Sequence, residues 1–156
     1  MAQIPIHGSP HFDVREFVDK ATWNALGVAA AWLVDPAIVR VCDLLRELSD
    51  APVTVNNWHY AKRGQHIYRS SGFRSKFDST GAAYSQHRCG RAADVKVAGF
   101  SPYLVLQLIE RNADDFALAG LTTMENIEFT KTWVHLDVRP KVENLHPENG
   151  FLIVNP

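Results

Sequence analysis

Two short segments of this chain alternate apolar and polar residues strictly, and that pattern limits the fold more than any other feature. In residues 92–98, Ala93, Val95 and Val97 share one side, while Ala92, Asp94 and Lys96 share the other. In residues 133–138, Val134, Leu136 and Val138 share one side, and Trp133, His135 and Asp137 the other. Period-two alternation is the mark of a strand with one face on a core. Here the opposite faces carry histidine and aspartate. Helical patterns fill much of the remaining chain, so the expected class is α+β: a small, mainly antiparallel sheet with helices on one face and a cleft on the other.

The helix signals are local. Asp13 with Glu16 three residues on resembles a capping box, Val14, Phe17, Val18 and Ala21 form an apolar face, and Gly27 is a stop, predicting a helix over 13–26. A second helix is expected over 36–48, with Asp35 as N-cap, Pro36 in the first turn, and Ile38, Val41, Cys42, Leu45 and Leu48 at helical spacing. Cys42 then reads as a core residue. A third begins at Ser101 and Pro102 and carries Leu104, Val105, Leu108 and Ile109. Further strands are expected over 53–56 and 69–75.

With 156 residues, the whole chain, 1–156, reads as a single domain whose core needs no disulfide. Cys42 and Cys89 are too few for a disulfide scaffold. No run of 18 apolar residues signals a membrane span. The first residues lack a basic stretch followed by an apolar one, so the expectation is synthesis in the cytoplasm without a signal peptide.

The formal net charge of −1 conceals an asymmetry. Between residues 51 and 93 there are seven basic side chains (Lys62, Arg63, Arg69, Arg74, Lys76, Arg88 and Arg91), and Asp78 is the only acid. Trp58, His59, Tyr60, Tyr68 and Phe73 are interleaved with them. Such a segment suits a polyanion backbone or a cleft for a substrate bearing carboxylates; a solvated loop is the plainer alternative. Nucleic-acid binding leaves the His/Asp strand faces unexplained, so no nucleic-acid partner is expected.

The chemistry concentrates at His87, Asp94 and His135. Gly90 supplies a turn that sends His87 back over the start of the strand carrying Asp94, and Ala92 leaves room beside that carboxylate. A second histidine from a neighbouring strand completes a three-ligand zinc site with an open fourth position. Zinc in such a site lowers the pKa of bound water to roughly 7.

Ser85-x-His87-x-x-Gly90-x-Ala92-x-Asp94, followed by Trp133-Val134-His135-Leu136-Asp137, resembles the zinc D-Ala-D-Ala carboxypeptidase family. That family includes dipeptidases and the L-alanyl-D-glutamate endopeptidases of phage endolysins. Ser71-Gly72-Phe73-Arg74-Ser75 is similar to its Gly-aromatic-Arg-Ser element, and His11-Phe12-Asp13 with residues 53–58 is similar to compact phage members. The resemblance implies that His87, Asp94 and His135 bind Zn2+. It implies that Arg74 holds a substrate carboxylate or carbonyl, that Ser85 hydrogen-bonds near the first ligand at the substrate side, and that Trp133 packs beside the site.

Many relatives carry an acid three residues before the last histidine, as the base that activates water; here Thr132 stands there. If residues 121–125 and 132–138 form a hairpin, Glu125 faces Thr132 and is the candidate base. Asp137 is the second candidate, with an orienting bond to a ligand as its alternative role, and Glu128 the third. Cys89 is expected near the site but outside it, and His59 and His66 on the surface.

The function implied is hydrolysis of a peptidoglycan stem-peptide bond, endo- or carboxypeptidic, by a monomeric phage endolysin or virion-associated enzyme acting on the wall after release. The alternative is a non-catalytic zinc-stabilised binding or virion structural module, which Thr132 favours.

Overall fold

The computed structural model describes residues 3–79, 81–148 and 150–155. Helices α1 (Val14–Phe17), α2 (Lys20–Leu26) and α3 (Pro36–Ser49) come first, a 3-10 turn over Gly27–Leu33 joining the last two. Strand β1 (Val53–Thr54) follows, then a long irregular stretch to a 3-10 turn at Gln86–Cys89 and strand β2 (Ala92–Val97). Helices α4 (Pro102–Arg111) and α5 (Ala113–Ala119) precede β3 (Thr123–Glu125), β4 (Val134–Asp137) and β5 (Leu152–Val154).

The five strands lie in the order β1-β2-β4-β3-β5. All neighbours are antiparallel except β3 and β5. The alternation in β2 and β4 does what it predicts: Ala93, Val95, Val97, Val134 and Leu136 are buried in one cluster with Ile38, Val41 and Leu45 of α3 and Val105 and Ile109 of α4. Cys42 is buried in that core. The fold is α+β, as expected, with β2 and β4 adjacent at the centre of the sheet.

The helix expected over 13–26 is two helices. Asp13 and Glu16 form the capping box, but Val18 is extended and Asp19 caps a new start by accepting from the Thr22 N–H at 2.7 Å. The break releases three carbonyls to distant partners. Glu16 O accepts from Asn56 N, Phe17 O from Phe73 N, and Val18 O from the Trp58 indole, at 2.9, 2.7 and 2.8 Å. Backbone groups outside a helix must be satisfied somewhere, and here they anchor the loop that carries Gly72 to Arg74.

The strand expected over 69–75 is also corrected: that segment is irregular. Its backbone bonds go to single points instead of a ladder, with Asp94 N donating to Ser71 O at 2.7 Å and Arg74 N to His87 O at 3.1 Å. Ser71 N donates to the Asn56 side chain at 2.9 Å. The segment thereby bridges β2 and the His87 turn. The helix begun by Ser101 and Pro102 forms as expected, capped by the Ser101 hydroxyl.

Candidate active site

His87 sits in the short 3-10 turn, where the Ser85 side chain caps the turn and Gly90 ends it in the left-handed region, at φ 68°. A Cβ on Gly90 would stand 1.8 Å from the Leu33 carbonyl oxygen, so both conformation and space demand glycine. The His87 Nδ1–H donates to Gly72 O at 2.8 Å, which leaves Nε2 facing the sheet. Gly72 is itself confined, since a Cβ there would lie 2.3 Å from Phe17 O.

Asp94 of β2 and His135 of β4 are direct cross-strand partners, so their side chains meet on the polar face. His135 Nδ1 lies 2.8 Å from Asp94 Oδ1, and His87 Nε2 lies 3.3 Å from each of these atoms. Ligand atoms about 2.0–2.1 Å from a tetrahedral zinc stand about 3.3 Å apart. The donor set, two imidazole nitrogens and one carboxylate oxygen, fits that ion in number, kind and spacing. Among the described residues these three form the one cluster of such groups within ligand range.

Each donor is braced from behind. The second imidazole nitrogen of His135, Nε2, lies 3.5 Å from Asp137 Oδ2. Asp137 is fully buried and clamped by Arg139, whose Nε donates at 2.8 and 2.9 Å and whose Nη2 also contacts Oδ2. The second oxygen of Asp94 accepts from Arg74 Nη2 at 2.8 Å, and Arg74 Nε donates to Ser70 O at 2.6 Å. Supporting bonds of this sort set tautomer and orientation in metal sites.

The electrostatics follow from those contacts. Burial works against the charge of Asp94, but hydrogen bonds from His135 and His87 outweigh it and hold the carboxyl well below the usual carboxylate range. Burial also works against a charged His135; bonds to Asp137 and Asp94 overcome it and push the imidazole up to about 9. Asp137 is held low against burial by His135 and Arg139.

Glu125 arrives from β3. The register pairs Thr123 with Asp137 and Met124 with Leu136, so the next step sets Glu125 against His135, not against Thr132 as expected from sequence. Glu125 Oε1 lies 3.8 Å from His135 Nδ1, on the side of the three donors. The two candidate acids are therefore separated, Glu125 at Nδ1 and Asp137 at Nε2. Glu128 and Thr132 are exposed.

A cleft of about 900 Å³ opens beside Asp94, lined among others by Tyr68, Arg69, Arg74, Lys96, Thr132 and Trp133. Trp133 is half-buried there, and His66 also lines the cleft. Ser85 makes its contact with the His87 backbone N–H, at 3.4 Å. His59 lies in a separate hollow with Asp13, Glu16 and Tyr60, and Cys89 is exposed, outside the donor cluster.

Lys96 is a cleft residue that the sequence motifs do not mark. It shares the polar face with Asp94, one strand period along, and its Nζ stands 4.2 Å from the Tyr68 ring centre and 5.5 Å from that of Trp133. The signal was present in the alternation of β2, as a lysine on the same side as a ligand. Neither the curated proteins nor the solved structures give a match to this chain. A family model described as Peptidase M15 matches residues 10–137, a span that contains His87, Asp94, Glu125 and His135. The chain belongs to the peptidase M15 family, the zinc-dependent, D-Ala-D-Ala carboxypeptidase-like metallopeptidases.

Proposed function

We propose that this protein is a zinc peptidase that hydrolyses a peptide bond in the peptidoglycan stem. The observation that carries the reading is the triangle of His87 Nε2, Asp94 Oδ1 and His135 Nδ1, with Glu125 Oε1 3.8 Å from the last of these. His87, Asp94 and His135 hold the ion. The chemistry that zinc supplies at such a site is polarisation of the scissile carbonyl and acidification of a water molecule.

The remaining work falls to side chains. Glu125 takes the proton of the attacking water and passes it to the departing amine nitrogen, so one C–N bond breaks as one C–O bond forms. Asp137, enclosed by Arg139 and His135, orients the imidazole. Arg74 braces the second oxygen of Asp94, and its uncommitted N–H donors are available to a substrate carboxylate or carbonyl. Ser85 acts by capping the His87 turn, and Trp133 walls the cleft. The basic lining suits stem peptides, which are rich in carboxylates. In this reading the enzyme is a phage endolysin or a virion component, made in the cytoplasm and acting on the wall after release.

The test is mass spectrometry of peptidoglycan fragments after incubation with zinc-loaded protein, beside a His135→Ala control. New stem-peptide termini that vanish in the control are expected, and they identify the bond. An unchanged fragment profile on several wall types, with zinc still bound, would transfer the assignment to a binding or structural module and make Thr132 the reason.

A further inference from the structure

We infer that the apolar hollow between α2 and the loop following Arg74 is a second subsite, which takes the N-acetylated sugar that carries the stem peptide. The inference rests on the peptidase reading and deepens it: the preferred substrate is a stem still joined to its glycan, not a free peptide.

The hollow encloses about 670 Å³, a size common among small-ligand sites. Ala21, Ala25 and Leu26 line it from α2, and Phe73 and Phe77 from the loop. Phe77 is 85% exposed and Leu26 46%. Large apolar side chains left in water around one concavity mark a binding surface, where scattered ones do not. Residues 21–34 carry no charge at all. No acid lines the hollow among the described residues, and Arg74 and Arg88 spend their guanidinium bonds inside the protein. What is offered to a ligand is an aromatic face and small apolar side chains.

Phe77 is exposed but not loose. Arg88 donates to the carbonyls of Ser75, Asp78 and Ala82 at 3.0, 2.7 and 3.3 Å, and the Ser70 hydroxyl donates to the Asp78 carboxylate at 2.6 Å. The segment that presents the ring is thereby fixed from both sides. A ring held in place before its ligand arrives loses little entropy on binding.

The hollow and the catalytic cleft meet at Arg74, which lines both. The backbone of Gly81 closes on the same guanidinium, since a Cβ there would stand 2.6 Å from Nη1. A substrate that extends past Arg74 from the cleft has this hollow beside it. Beyond the stem peptide, peptidoglycan continues into an N-acetylated amino sugar, joined through a lactyl amide and uncharged at that point. Its C–H face suits the Phe77 ring, and its acetamido methyl suits the wall of Ala21 and Ala25.

The experiment uses zinc-loaded wild type, Phe77→Ser and Phe77→Trp with two substrates of one stem sequence. One is the N-acetylated pentapeptide, the other the same pentapeptide on the N-acetylglucosaminyl-N-acetylmuramic acid disaccharide. Kd is measured by calorimetry and KM by turnover. Wild type is expected to bind the disaccharide form about tenfold or more tightly, the scale of burying one large apolar side chain. Phe77→Ser should bring the two forms to one Kd, and Phe77→Trp should keep the preference. Circular dichroism and zinc content confirm that each variant is folded.

A wild type indifferent to the sugar would overturn the assignment, as would a preference that survives Phe77→Ser. Self-association through Phe77, or sedimentation with anionic vesicles in place of any glycan effect, would overturn it in favour of a second copy or a membrane as the occupant. The disaccharide without peptide, followed by saturation-transfer NMR at its acetamido methyls, probes the hollow independently of cleavage. If wild type cleaves neither substrate nor any wall preparation, the peptidase reading fails, while that signal and its loss in Phe77→Ser still decide the role of the hollow.

Discussion

Glu125 stands across the β3–β4 ladder from His135, with its Oε1 3.8 Å from the imidazole Nδ1. A carboxylate delivered from a neighbouring strand thus stands on the donor side of the His135 ring. Glu125→Gln keeps the shape and removes the basicity. Turnover of a stem peptide should fall by about a hundredfold or more, the usual contribution of a general base, with zinc content unchanged. Full activity in a zinc-replete Glu125→Gln protein would remove Glu125 from the reaction.

Asp137 sits at the opposite nitrogen of the same ring and has a different expected signature. Its carboxylate is buried between His135 Nε2 and the Arg139 guanidinium. Asp137→Asn should weaken zinc binding by about ten- to a hundredfold, as loss of a bracing carboxylate does in metal sites. Competition with a chromophoric chelator measures this directly. An unaltered zinc Kd joined to lost turnover would exchange the roles proposed for Asp137 and Glu125.

Much of this site was legible because strand alternation is short-range. Which face Asp94 and His135 share follows from period two alone, and so does the burial of Val95 and Leu136. Register is not short-range. Sequence set Glu125 opposite Thr132, whereas the ladder sets it opposite His135, because the connection after β3 leaves residues 126–133 outside the β3–β4 pairing. The break at Val18 was hidden for a similar reason. Local apolar spacing favours one helix, but carbonyls of Glu16, Phe17 and Val18 are taken by Asn56, Phe73 and Trp58, partners about 40 or more residues away. Residues 69–75 look strand-like in composition and are instead held by isolated bonds to Asn56, His87 and Asp94. The placement of Lys96 beside the Tyr68 and Trp133 rings is a tertiary contact that composition does not reveal.

Gly90 joins the metal site to the helical layer. Its backbone is left-handed, its carbonyl accepts from the N-cap Asp35 of α3, and the Leu33 carbonyl fills the space where a side chain would begin. Gly90→Ala should cost about 1–2 kcal/mol from backbone conformation alone, with the collision at Leu33 adding to it. The expected outcome is a lowered Tm together with weakened zinc binding, because the displaced turn carries His87. A variant with wild-type Tm and zinc affinity would show that the turn relaxes without moving the ligand.

Zinc uptake by this site should depend on pH further into the alkaline range than an ordinary histidine would make it. Burial disfavours the imidazolium of His135, but Asp137 and Asp94 hold it protonated up to about pH 9 in the metal-free protein. Ligation needs the Nδ1 lone pair, so binding at neutral pH must release that proton. The sign is then fixed: affinity rises with pH while His135 is protonated in the free protein, and levels off above its pKa. Between pH 7 and 8 the zinc association constant should increase by close to tenfold, and less steeply from pH 8 to 9, and calorimetry in buffers of different ionisation enthalpy should find about one proton released at pH 7. An ordinary histidine, with a pKa near 6.5, would already have flattened the curve there. A zinc affinity constant across this interval would show that the two aspartates do not hold the proton on His135.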